Sequence, residues 1–205
     1  MRVRFIRRLL AFLIDFFIFY FVVTILGAFL PLSSTQIELN EQIVELQEKY
    51  ISEDISTEEF INEYKVLMPK YDKENIFLNI INLVYILGYF IVIPVINNNG
   101  QTIGKKVMKI RIQKKDGNLT IRDMILRNFV TTSLLQLMIS STIIYLVSGD
   151  IYFIISLIVS FLQILLVIIT SFMIIYRKDK NGVQDLITKT SVVEVEKWEN
   201  LQNKN

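Results

Sequence analysis

A carboxylate inside an apolar run is the first residue of this chain able to do chemistry. Asp15 interrupts Leu9 to Leu30, which otherwise carries no charged residue, and at about 1.5 Å per residue such a helix crosses a bilayer core of roughly 30 Å. An unpaired acid at that depth costs at least ~2.5 kcal/mol. Asp15 is therefore expected either to tie helices together through hydrogen bonds or to belong to an ion or proton path. Seven residues make almost two helical turns, so Arg8, Ala11 and Asp15 share one face, with the small Ala11 leaving a notch between the charges. Two more charged residues stand near membrane boundaries, Arg127 where a later apolar run begins and Asp185 in the tail. Because charges at membrane depth survive by pairing, Arg8, Asp15, Arg127 and Asp185 are expected to form one network at an inner mouth. Asn79, Asn82 and Asn128 are expected to support it as helix-to-helix polar contacts, and Asn79 and Asn82 stand three apart on one helix face.

Composition removes most other chemistry. The 205 residues are 52% hydrophobic and contain neither histidine nor cysteine. That takes away disulfides, thiolate nucleophiles, the usual zinc ligands and the commonest general base. No catalytic residue, metal site or cofactor is expected, and the chain does not read as an enzyme. A glycine-rich stretch, Gly100-Gln101-Thr102-Ile103-Gly104-Lys105-Lys106, imitates a phosphate loop but has three residues between its glycines where four are needed, and a second lysine where Ser or Thr belongs. The basic residues around it lack interleaved aromatics, so no nucleic-acid partner is expected.

The elements that must position the charged residues are membrane spans. Four are read: 9–30, 76–96, 129–147 and 151–176, the last two separated by a tight turn at Ser148-Gly149-Asp150. The basic, longer-than-usual first run is expected to be retained and not cleaved as a signal. Charge segregates strongly although the net is only +2. The segment 33–75 carries eleven acids against four lysines, whereas 97–128 and the N-terminal stretch with Arg2, Arg4, Arg7 and Arg8 are basic, and the tail 177–205 opens with Arg177, Lys178 and Lys180 directly after the last span. By the positive-inside rule both termini and the 97–128 loop are cytoplasmic and the acidic insertion lies outside. That insertion is expected to form a hairpin of two amphipathic helices, one following Ile43, Leu46 and Tyr50, the other opened by a Ser56/Glu59 capping box and ended by Pro69.

The cytoplasmic segments also carry strands. Met108, Ile110 and Ile112 alternate with Lys109, Arg111 and Gln113, followed by a turn from Lys115 to Asn118 and a Thr120/Asp123 cap ahead of a helix that carries Arg127 and Asn128 into the membrane. In the tail, Asn181 and Gly182 form a turn, Val183 to Thr188 a helical turn, and Ser191 to Lys197 a second alternating stretch. Pairing of the two stretches would tie loop to tail and bring Glu194 and Glu196 near Lys109 and Arg111. No internal repeat is legible, so a transporter built from four helices would need to oligomerise.

These features together resemble the RDD family of bacterial membrane proteins, named for one arginine and two aspartates. The resemblance rests on Arg8-x-x-Ala11-x-x-x-Asp15, on Gly100 to Lys105 leading to Leu126-Arg127-Asn128, and on Gly182-Val183-Gln184-Asp185-Leu186 followed by Thr190 to Val193. It implies that the family's arginine is Arg8, with Arg7 the alternative, and that its aspartates are Asp15 and Asp185. It also implies a multi-pass protein of the bacterial plasma membrane, associated with transport, some members resembling sodium/proton antiporters. Gln184 stands where the family often has a histidine, so a histidine-dependent relay is not carried over.

The expected fold is thus an all-α transmembrane, four-helix membrane bundle with an extracytoplasmic acidic helical hairpin and a small cytoplasmic β-sheet, in one domain over 1–205. Two functions remain open. One is transport of a small ion or solute, with Asp15 as the intramembrane charged site. The other is a non-transporting accessory or scaffold subunit whose charges only hold the fold. The lipid bilayer is the expected partner in either case, with a homo-oligomer or a heteromeric membrane complex open.

Overall fold

The computed structural model describes residues 3–96 and 99–195. Arg2, Asn97, Glu196 and Lys197, to which the sequence assigned charge, loop or strand roles, lie outside that range. The chain is mostly helical. Helix α1 runs Phe5–Ala28 and buries only Ala11 and Asp15. Both belong to the face expected from the seven-residue spacing, and the rest of the helix turns Phe, Leu and Ile side chains outward, as a helix solvated by lipid does.

The acidic insertion folds as two helices, α2 (Ser34–Ile51) and α3 (Thr57–Glu74), each opened by a full capping box, Ser33 with Gln36 and Ser56 with Glu59. Tyr50 and Phe60 stack across the pair at 4.6 Å. Pro69 does not end the second helix but lies inside α3. A proline there removes one intrahelical bond, and α3 continues to Glu74 because this stretch leans on the start of a later helix. Tyr152 donates to Asp72 at 2.7 Å and Lys65 stands 3.8 Å from Asp150.

The next apolar rod, Ile76–Ile96, is α4 (Ile76–Ile86), a π-helical turn (Leu87–Val92) and α5 (Ile93–Ile96). Pro94 explains the irregularity. It has no N–H to offer the Phe90 carbonyl four residues earlier, so the ladder widens there. The freed carbonyl instead accepts from Asn128 Nδ2 at 3.3 Å.

A short helix α6 (Ile103–Val107) leads into β1 (Ile110–Lys114), and the Thr120/Asp123 box caps α7 (Ile121–Thr131). The expected third span, 129–147, is not one helix. It breaks at Thr132, whose backbone is extended, and resumes as α8 (Leu134–Ile143). Thr131 and Thr132 turn their hydroxyls back onto the Arg127 and Asn128 carbonyls at 3.1 and 2.8 Å, competing with the helical ladder at consecutive positions. Among the described residues three helices are therefore long and apolar enough to cross a membrane, Phe5–Ala28, Ile76–Ile96 and Gly149–Tyr176, while Leu134–Ile143 is shorter. Helix α9 (Gly149–Tyr176) begins inside the expected tight turn, Ser148 serving as its N-cap and Gly149 and Asp150 as its first residues.

The tail supplies α10 (Val183–Ile187) and β2 (Thr190–Glu194). β1 and β2 pair antiparallel with Ile112 opposite Val192 and Ile110 opposite Glu194, so loop and tail are joined in one sheet. Glu194 meets Arg7 at 3.5 Å. Ile110, Ile112 and Val192 pack into the core with Val3, Ala11, Ile86, Ile91, Met124 and Leu134.

A regularity hidden from the sequence emerges here. Helix α6, a left-handed Lys109 and β1 are followed eighty positions later by α10, a left-handed Lys189 and β2, with the same lengths. The ladder maps onto itself under that shift, which places a local two-fold axis at the Ile112/Val192 pair. Each unit also packs against the first helix of its own half, α6 on α1 and α10 on α7.

Candidate functional site

Asp15 projects from α1 to the N-terminus of α6. It accepts from Tyr89 Oη at 2.6 Å, from Thr102 Oγ1 at 2.6 Å and from the Gly104 N–H at 2.8 Å. Each donor is fixed in turn. The Tyr89 oxygen accepts from the Ile103 N–H at 3.1 Å, so its proton points to Asp15. The Thr102 oxygen accepts from Lys105 Nζ at 3.2 Å, so its proton does too. Tyr89 sits in the π-helical turn, its ring stacked on Tyr85, which in turn meets Phe19 of α1 edge-on. The approach is close enough to require glycine. A Cβ on Gly104 would collide with the Ala11 carbonyl and lie 2.8 Å from the Asp15 carboxyl carbon.

The second acid binds the two arginines. Asp185, in the first turn of α10, accepts from Arg8 Nη1 and Arg127 Nη1 at 2.7 Å each and from the Gly182 N–H at 3.1 Å. Arg127 also donates to Thr190. Burial pushes the Asp185 carboxyl pKa up, but the flanking Arg127 and Arg8 guanidinium groups outweigh it and hold the pKa below the ordinary carboxylate value. Asn128 ties α7 internally to the Met124 carbonyl at 2.8 Å as well as to Phe90. The expected network is thus two adjoining clusters: Arg8, Arg127 and Asp185 are in direct contact, and Asp15 is held separately. Asn79 and Asn82 do not reach Asp15, and the Asn82 side-chain oxygen is buried without a partner.

Between the clusters lies a cavity of about 260 Å³ whose polar wall includes Arg8, Asp15, Lys105, Arg127, Thr170 and Gln184, with Phe5, Leu9, Phe12, Phe90 and Ile174 among its apolar residues. Lys105 faces it from α6. Burial pushes this amine pKa down to about 8; Asp15 pulls it up, and Arg127 pushes it down again. Reading the sequence alone missed Tyr89, Thr102 and Lys105. The available signals were Pro94, which loosens the helix around Tyr89, and a threonine of N-cap type directly before Ile103.

The arginine and both aspartates therefore converge on one region from distant parts of the chain, and the profile of the RDD family matches residues 2–189. The chain belongs to the RDD family. RDD proteins are membrane proteins, which accords with the three long apolar helices. No curated protein and no solved structure matches this RDD chain.

Proposed function

We propose that this RDD protein carries a small ion or solute across the bacterial plasma membrane, and that the cavity between the two charge clusters is its substrate site. The observation that carries the reading is the cavity itself: membrane-depth charge from α1 and α7 opens onto an apolar-walled space next to the basic loop and tail. Such placement marks substrate and ion pathways in membrane proteins. In this reading both termini are cytoplasmic, since Lys105, Lys106, Lys109 and Arg111 gather on the sheet side. The broken pair α7–α8 supplies a fourth, discontinuous crossing, the kind of element that lines binding sites in transporters. Asp15 is then a fixed charge that shapes the site and holds α6, its oxygens being committed to three donors.

Flux in proteoliposomes across a panel of cations and small organic acids tests this. Native protein is expected to move at least one solute, and Asp15→Asn is expected to lose that flux. Absence of flux for every solute from well-folded native protein would sink the reading. A second reading draws on the same saturation: acids whose oxygens are all committed make a clamp, and an accessory subunit would need nothing more. Mild solubilisation separates the two, because a foreign protein recovered in fixed stoichiometry favours the subunit, and recovery of this chain alone with solute flux favours the transporter.

A further inference from the structure

We propose that the cavity binds a small amphipathic monocarboxylate, its carboxylate on Lys105 and Arg127 and its hydrocarbon against the aromatic wall, at a site built on the two-fold axis of an internal duplication. This rests on the cavity being the substrate site and names its ligand class; it does not require that the ligand be moved.

The duplication extends beyond the sheet. In the first half α1 leads away from the sheet, the rod Ile76–Ile96 returns, and α6 and β1 follow; in the second, α7–α8 leads away, α9 returns, and α10 and β2 follow. The cavity wall obeys the same relation. Arg8 and Ala11 of α1 are matched by Arg127 and Val130 of α7 at one constant shift, and Ile112 by Val192 at the strand shift. Phe90 and Thr170 of the two returning helices, again at the strand shift, also line it. A site between such repeats is where transporter folds place their ligands.

The charge breaks the symmetry, and that break sets the ligand's sign. Both arginines converge on Asp185, and at the position of the first half that corresponds to Asp185 stands Lys105. Among the described residues, Arg8, Lys105, Arg127 and Asp15 line the cavity, and Asp185 lies behind the two arginines. Both acids already hold a donor on each oxygen: Asp15 takes hydroxyls at 2.6 Å on each, and Asp185 takes one arginine on each. A cation entering would compete with these donors. Lys105 Nζ, by contrast, has three N–H bonds to give and makes one contact, to Thr102, among the described residues. The Thr170 hydroxyl, buried in the same wall at 6% exposed and without a partner, is a second donor for a carboxylate. The two spare N–H bonds of Lys105 suit a carboxylate, and the apolar remainder of the wall suits a short hydrocarbon body.

The test uses the purified full chain in detergent, with benzoate as the probe and benzamide, benzylamine and sodium chloride as controls; myristate separates a membrane-fed acid from a free one. Benzoate is expected to raise the unfolding temperature saturably, with no shift from the neutral or cationic analogues and a weaker one from myristate. Lys105→Met is expected to weaken benzoate at least about tenfold and Lys105→Arg to retain it. Should Lys105→Met not fold, benzoate is expected to protect Lys105 of the native chain from amine acylation, read by mass spectrometry. Stabilisation by benzylamine or sodium in place of benzoate, an unchanged benzoate affinity in folded Lys105→Met, or unprotected Lys105 at saturating benzoate each overturns the proposal. Tighter binding of myristate would overturn the short free acid as the source. Benzoate binding without flux sinks the transport reading alone; cation flux without benzoate binding sinks this one alone.

Discussion

At the scale of single residues, the two acids hold opposite kinds of partner. Asp185 is ion-paired, and removing one member of a buried charge cluster typically costs about 3–5 kcal/mol because the other charges are left behind. Asp185→Asn is expected to lower the unfolding temperature in detergent more than Asp15→Asn, which leaves no unpaired buried arginine and keeps an acceptor for one of the Tyr89 and Thr102 hydroxyls. Because the folded pKa of Asp185 lies below its ordinary value, its contribution to stability is present above pH 3.8 and is lost as pH falls through the folded pKa. Lys105 has the reverse sign. Its pKa near 8 lies below the ordinary 10.5, so between those values the folded protein holds fewer protons than the unfolded chain and gains stability as pH rises. Acting on Lys105 are Asp15 from α1 and Arg127 from α7, and Arg8 of α1 lines the same cavity. Benzoate affinity, measured by titration, is expected to fall across the same window as the ammonium charge disappears.

At the scale of elements, positions of irregular backbone hold the site. Gly104 permits α6 to reach the Ala11 carbonyl and the Asp15 carboxyl. Gly104→Ala is therefore expected to push α6 off α1 and break the Asp15 contacts, seen as faster hydrogen exchange at Ile103 to Lys106. The π-helical turn ending before Pro94 presents Tyr89. Deleting Gly88 would restore ordinary helical winding and turn Tyr89 by about 100° relative to one end of the rod. Loss of the benzoate-dependent shift with spans still formed by circular dichroism is the expected result.

At the scale of the molecule, the acidic hairpin is held to α9 by a partly buried polar contact. Tyr152 is 1% exposed and donates to Asp72, whose carboxyl pKa is raised by burial against the opposing effect of that hydrogen bond. Tyr152→Phe leaves Asp72 half-buried without its donor, a cost of about 1–3 kcal/mol. The hairpin is expected to detach more often, read as faster proteolysis in the 52–56 turn with the charge clusters and benzoate binding unchanged.

What the sequence determined by itself was whatever depends on local periodicity and charge. The three long apolar rods follow from long hydrophobic runs, the capping boxes from residues three apart, the Arg8-Ala11-Asp15 face from helical spacing, and the alternating strands from a period of two. Family membership was legible for the same reason, being written in short spaced motifs. Tertiary structure alone decided the rest. Thr131-Thr132-Ser133 breaks an apolar run because side-chain hydroxyls compete with the backbone, and Pro69 stays inside a helix because α3 is braced by α9. Asp15 takes its partners from residues more than seventy positions away, which no local pattern encodes. The duplication was invisible because packing repeats the backbone path while almost every side chain on it differs, down to a lysine in one half where the other has an aspartate.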